Sequence, residues 1–209
     1  MADDKTGLGT HSDIFEYKPN WAQAQDFSFH VAHKIFGFPG TIHKMFNFDS
    51  GGVSPVVMKF GYSAMEKEDE FNLLSFFADS NGRHEAFWCP SFSNDFSLVS
   101  NASLGATYLE VAPNHFFDET LGTNNERIYI EKTNGDVITR QITDADDVGD
   151  VTRLDLDTVL AAALDISDVL LFSRMYLVRF GDDRFDIKSI NHHVGDVTLN
   201  FVECNREMD

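Results

Sequence analysis

Twenty phenylalanines, against five tyrosines and two tryptophans, fall mostly in short apolar segments bounded by Gly, Pro, Asn or Asp. Aromatic side chains fit the half-buried pleat of a strand, and turn residues at this spacing cut a chain into strands instead of long helices. A mainly β chain is therefore expected. Its 209 residues, 43% of them hydrophobic, supply enough apolar material for one medium domain or two small ones. The longest apolar runs, 159–164 and 169–172, fall far short of the ~20 residues a membrane helix needs, so no membrane insertion is expected. Residues 1–13 are polar and acidic, with no basic cluster leading into an apolar core. They read as a flexible arm and not as a secretory signal, and the protein is expected to fold where it is made.

Sixteen Lys and Arg against 34 Asp and Glu give a formal charge of −18. A surface of that sign repels phosphates, which argues against specific nucleic-acid binding. The acids are spread along the chain and read as a solubilising surface. Cys89 and Cys204 are too few for a disulfide framework and read as small buried hydrophobes.

Residues 14–62 read as a strand meander through 27–31, 35–38, 42–48 and 56–60, with turns at Pro39-Gly40 and Ser50-Gly51-Gly52. A helix is predicted over 64–80. Ser63 and Glu66 have capping-box spacing, acids crowd the first turn, and Asn81-Gly82 supplies the stop. Phe71, Leu74 and Phe77, with Leu73 and Phe76 beside them, form a stripe that should pack on a sheet. Segments 126–132 and 136–143 form a hairpin around Thr133-Asn134-Gly135. A three-residue loop with Gly135 left-handed sets Ile130 opposite Ile138 and puts Ile128 and Ile142 on that face. Residues 151–156 alternate as a strand, 158–164 suggest a short helical turn, and 168–172 begin another strand. Strands 175–180, 184–190 and 197–203 follow, the last reading as a half-buried antiparallel edge.

Chemistry-bearing motifs are scarce. Nucleophile elbows, phosphate-cradling glycine loops and the zinc-helix motif are absent from the sequence. His30 and His33 would lie on opposite faces of a strand, and His192-His193 falls in a turn. The weak metal candidates are Asp144, Asp146 and Asp150, with Asp147 beside them. Their spacing imitates a calcium loop, but Val148 fills the fifth place and Asp155 the twelfth, so an acidic turn is the favoured reading. No cofactor is expected, and no carboxylate pair stands out as acid and base. The Asn101-Ala102-Ser103 sequon has no force without secretion.

The stretch Leu73–Leu98, LLSFFADSNGRHEAFWCPSFSNDFSL, resembles a pattern in structural proteins of tailed-bacteriophage tails: helix, Gly-Arg, aromatic-Trp-x-Pro-Ser, Asn-Asp and an apolar strand. Gly82, Arg83, Phe87, Trp88, Pro90 and Asp95 carry it, while Cys89 stands where the pattern has an aliphatic residue. Trp21, in Tyr17-Lys18-Pro19-Asn20-Trp21, looks like part of an opening strand. Arg179, within 175–180, and the strand 197–203 look like the family's end. The resemblance implies a non-enzymatic, distal-tail-protein-like virion component with a β-sandwich core. Such a subunit forms a symmetric ring, hexamer favoured and trimer possible, that joins the tail tube to the host-recognition apparatus. Its implied partners are its own copies, tail-tube and baseplate hub proteins, and receptor-binding or fibre proteins. It would reside in the virion tail, and in the bacterial host cytoplasm during assembly. Without the family, the same residues read as framework: Gly82 ends the helix, Arg83 reaches its last carbonyls, Phe87 and Trp88 enter the core, and Pro90 limits strand pairing.

The expected architecture is an antiparallel β-sandwich of 14–100 and 173–209 with one packed α-helix, and a small β-barrel, 101–172, inserted into it. Two other function classes compete with the ring: a carbohydrate-binding β-sandwich using exposed aromatics such as Trp21 or Trp88, and a metal hydrolase using His and Asp residues.

Overall fold

The computed structural model describes residues 4–8, 13–19, 26–29, 33–36, 44–47, 56–113, 126–191 and 193–204. These residues form a mainly β, largely antiparallel fold with a single α-helix, as expected. The chain divides into two compact units, Met1–Lys18 with Ala86–Val178, and Pro19–Glu85 with Arg179–Asn205. The expected boundaries were 100/101 and 172/173. They move because strand β6 (Phe87–Pro90) pairs with Met175–Val178 of β11 (Val169–Phe180), tying both flanks of the middle segment into the first unit.

In the first unit, β8 (Arg127–Lys132) and β9 (Val137–Val148) form the predicted hairpin, with Ile130 opposite Ile138 and Gly135 at φ +87°. A glycine tolerates that left-handed backbone without a Cβ clash, and the loop length then fixes the register. β10 (Val151–Leu156) pairs with the second half of β9 and with β7 (Tyr108–Val111). Its alternation buries Thr152, Leu154 and Leu156. On the other side β8 pairs with β11, giving the order β11-β8-β9-β10-β7.

One segment joins the two ends of that row. Asp95 and Phe96 donate their N–H groups to the Phe172 carbonyl of β11, at 3.0 and 3.2 Å, while Val99 donates to Glu110 of β7 at 3.0 Å and Ala112 donates back to Ser97 at 2.8 Å. The sheet thereby closes on itself as a small barrel, around a core that includes Phe96, Leu98, Leu109, Ile128, Ile130, Ile142, Leu154, Leu160 and Phe172. Residues 158–164, expected as a helical turn, instead make backbone bonds from Leu160 to Ala106 and from Leu164 to Ala102. The helical turn falls later, at the 3-10 segment Ile166–Asp168.

Part of the expected arm is structured. β1 (Asp4–Lys5) pairs in parallel with Ile138–Thr139 of β9, along the stretch of β9 that precedes its pairing with β10. Arg140 is 1% exposed. It bonds to the Asp4 carboxylate and to the carbonyls of Asp4, Thr139 and Val159.

In the second unit β5 (Val56–Glu66) lies between β2 (Asp26–Phe29) and β13 (Val194–Glu203). The predicted meander gives way to a different pairing, since among the described residues β3 (His33–Phe36) and β4 (Lys44–Asn47) pair with each other alone. The predicted turns at 39–40 and 50–52 lie outside the described residues. β13 buries Val197, Leu199 and Phe201 and exposes Thr198 and Asn200, as its alternation requires. It is not an edge, because β12 (Ile187–Ser189) pairs along its other side.

The helix, α1 (Lys67–Asp79), starts three residues later than predicted. Glu66 and Met65 are still paired with Val194 and Gly195, so the ladder holds the Ser63–Glu66 stretch as strand and no side-chain cap forms. The buried face also differs from the expected stripe. Leu73 is fully buried and Phe76 and Phe77 pack inward, whereas Phe71 is 69% and Leu74 40% exposed. Rings then run through the core from Phe77 to Phe180 (4.9 Å), Phe201 (5.3 Å) and Phe60 (5.5 Å), within the range of favourable aromatic pairs.

Truncating Asp4 leaves the buried Arg140 guanidinium without its carboxylate, a change that costs about 3 kcal/mol or more. Asp4→Ala is therefore expected to lower the urea midpoint clearly, while Lys5→Ala, at a part-exposed pair with Glu16, changes stability by under ~1 kcal/mol.

Candidate functional site

The segment that carries the family resemblance spans the end of α1 and the start of the barrel. Asn81, at φ +49°, and Gly82, at φ +60°, close the helix, with N–H groups bonded to Ala78 and Phe77 carbonyls at 3.0 Å each. These bonds match the Schellman pattern, in which a left-handed residue lets the chain turn back on the last helical carbonyls. Arg83 was expected to reach those carbonyls. It is exposed, and its backbone N–H instead donates to Asp183 at 3.0 Å.

Phe87 and Trp88 enter the core as expected, each 1% exposed. The Trp88 backbone exchanges bonds with Asp13 and Phe15, and its indole Nε1 donates to the Leu8 carbonyl at 2.9 Å. The Arg127 guanidinium lies 4.4 Å from the centre of the ring. Burial pulls the Arg127 pKa down, and the carboxylates of Glu126 and Asp157 oppose that shift. Pro90 does not interrupt pairing as expected. It sits opposite Met175, and the next residue, Ser91, donates to the Arg174 carbonyl at 2.9 Å.

Asp95 holds the most densely bonded position of the segment. Its carboxylate accepts from the hydroxyls of Ser91 and Ser93 and from the Arg174 backbone N–H at 2.8 Å, while the neighbouring Asn94 amide oxygen accepts from Phe172 N–H at 3.1 Å. The two side chains thus complete the ladder beside β11 where the 91–95 loop, with Phe92 at φ +55°, departs from strand geometry. Arg179 lies half-buried near the end of β11, and Trp21 lies outside the described residues.

Asp144, Asp146 and Asp147 lie on the exposed end of β9, and Asp150 in the turn to β10. Asp147 accepts from the Thr152 hydroxyl at 2.7 Å, Asp144 accepts from the Ala145 N–H, and no cluster of three ligands forms among the described residues. His193 is exposed in the β12–β13 turn, and His30 and His192 are outside the described residues.

Sequence reasoning missed a groove of about 320 Å³ on the first unit, whose lining includes Ser100, Asn101, Ser103, Thr107, Tyr108 and Glu110. Ser100 donates to Glu110 Oε2 at 2.6 Å, and Asn101 Oδ1 accepts from Ile166 N–H at 3.0 Å. The Arg153 guanidinium lies 4.1 Å from the centre of the Tyr108 ring and is itself held by Asp155 at 2.8 Å. Nothing in composition marks these residues; only the turn-rich stretch 100–107 hints at a surface loop.

No protein-family model matches this sequence, and no curated protein matches it either.

Asp95→Ala removes the acceptor for one part-buried backbone N–H and two hydroxyls, with an expected loss of about 1–3 kcal/mol by chemical denaturation. Thiol labelling tests the cysteines. Cys89 is buried and its pKa is pushed well up by burial, whereas Cys204, contrary to expectation, is partly exposed. Cys204 is expected to react with a thiol reagent in the native state and Cys89 only at the rate of opening. Because the folded Cys89 pKa is the higher one, its contribution to stability is intact below the unfolded thiol value of about 8.5 and falls as pH rises above it.

Proposed function

We propose that this chain is a non-enzymatic structural protein of a bacteriophage tail tip or baseplate. In this reading it forms a symmetric ring that joins the tail tube to the host-recognition apparatus. The resemblance over Leu73–Leu98 carries the proposal, and the work those residues do supports it: Gly82 turns the chain, Phe87 and Trp88 fill the core, and Asp95 completes a ladder. A shared pattern made of framework residues speaks for a shared scaffold more than for shared chemistry.

A closed ring uses head-to-tail contacts, so two different surfaces of one subunit must be complementary. Subunits that each carry a formal charge of −18 need that complementarity to overcome mutual repulsion. A net negative lumen would keep passing DNA from adhering, with the exposed acids of the 144–150 hairpin standing outside as a docking surface. Light scattering and negative-stain images of the purified chain, alone and with tail-tube and hub proteins, are expected to show rings, hexamers foremost. Compact monomers under both conditions overturn the proposal.

A further inference from the structure

We infer that the groove on the first unit binds a neutral saccharide. This goes beyond the assembly role and does not depend on it. The side chains of the groove offer hydroxyls from Ser103, Thr107 and Tyr108, the amide NH2 of Asn101 and the Oε1 of Glu110, all left without a protein partner among the described residues. Each sugar hydroxyl both donates and accepts, so a lining of mixed donors and acceptors suits it.

Other ligand classes fit less well. Among the described residues no Lys or Arg lines the groove, the Arg153 beside Tyr108 is paired with Asp155, and Glu110 adds a negative charge to an already acidic molecule, which disfavours phosphates and sugar acids. Sites for apolar ligands are lined mainly by hydrophobic side chains, and this one is not. Among the described residues Glu110 is the one carboxylate in the lining, and it already accepts from Ser100, which leaves too few free oxygens for a calcium ion.

The groove is also held in shape before any ligand arrives. Ala102 and Leu164 form a bridge, Gly105 N–H bonds to Leu160, and Leu156 N–H bonds to the Thr107 carbonyl. Arg153 covers one face of Tyr108, so a ligand meets the opposite face or the hydroxyl of a ring that is 39% exposed. Preorganisation of this kind lowers the ordering cost of binding. A volume of about 320 Å³, at the small end of ligand sites, suits a mono- or disaccharide.

The test is an amide-resolved NMR titration of the full chain with glucose, galactose, mannose, N-acetylglucosamine and lactose, with glucuronate and glucose 6-phosphate as anionic probes. At least one neutral sugar is expected to shift amides within 100–110 saturably. Tyr108→Ala and Glu110→Gln should each weaken that binding by roughly tenfold or more, and Tyr108→Phe less than Tyr108→Ala. Unchanged melting midpoints separate loss of a contact from loss of the fold. The inference is overturned if no neutral sugar shifts those amides saturably, if the variants bind as the parent does, or if the anionic probes bind more tightly. Rings without sugar binding, or sugar binding by a monomer, would separate this inference from the assembly proposal.

Discussion

Strands β7 and β11 bound the row β11-β8-β9-β10-β7, with β6 covering only Met175–Val178 of β11, and any strand edge left open exposes unpaired N–H and C=O groups that invite pairing with other chains. The 95–99 segment bonds to both, and that double engagement turns an open sheet into a barrel. The barrel core depends on it, since Phe96 and Leu98 of the closing segment bury their side chains among residues of the strands they join. Asp95 matters because the loop before it cannot supply the regular ladder. Its carboxylate accepts the Arg174 N–H that a strand carbonyl would otherwise take.

The buried charge follows from the same sheet. In β9 the alternation that points Ile138 and Ile142 to one face assigns Arg140 to it as well, opposite Ile128. A guanidinium there is tolerable only with acceptors around it, and Asp4 together with the carbonyls of Thr139 and Val159 supplies them. The amino-terminal strand therefore does two jobs, pairing with β9 and neutralising the charge that β9 buries. Read from its local sequence, 1–13 is a polar arm, because nothing in it announces a partner more than a hundred residues away.

The second unit shows how a long-range ladder overrides a local signal. The Ser63–Glu66 spacing, the acidic first turn and the Asn81-Gly82 stop all belong to a helix, and the helix exists. Its start moves because pairing with Val194 and Gly195 keeps Met65 and Glu66 extended. Its inward face centres on Leu73, Phe76 and Phe77 and leaves Phe71 outside. By contrast the hairpin register at Ile130 and Ile138 was legible, since a three-residue loop with a left-handed glycine and the apolar match on one face point to the same answer. The polar groove escaped notice because its residues share no periodicity. They meet only where the 100–107 loop passes β7.

By itself, the sequence determined what short-range physics controls: a mainly β chain, one helix with its stop signal, the alternation of β10 and β13, and the register of one hairpin. Period-two burial and turn chemistry act over a few residues, so they can be read from a few residues. Tertiary structure decided where the units divide, which strands are interior, which helix face is buried, and what becomes of Arg140 and Asp95. Each of those outcomes is set by a partner distant in the chain, and the free energy of satisfying a buried group depends on which partner folding delivers, which no local pattern encodes.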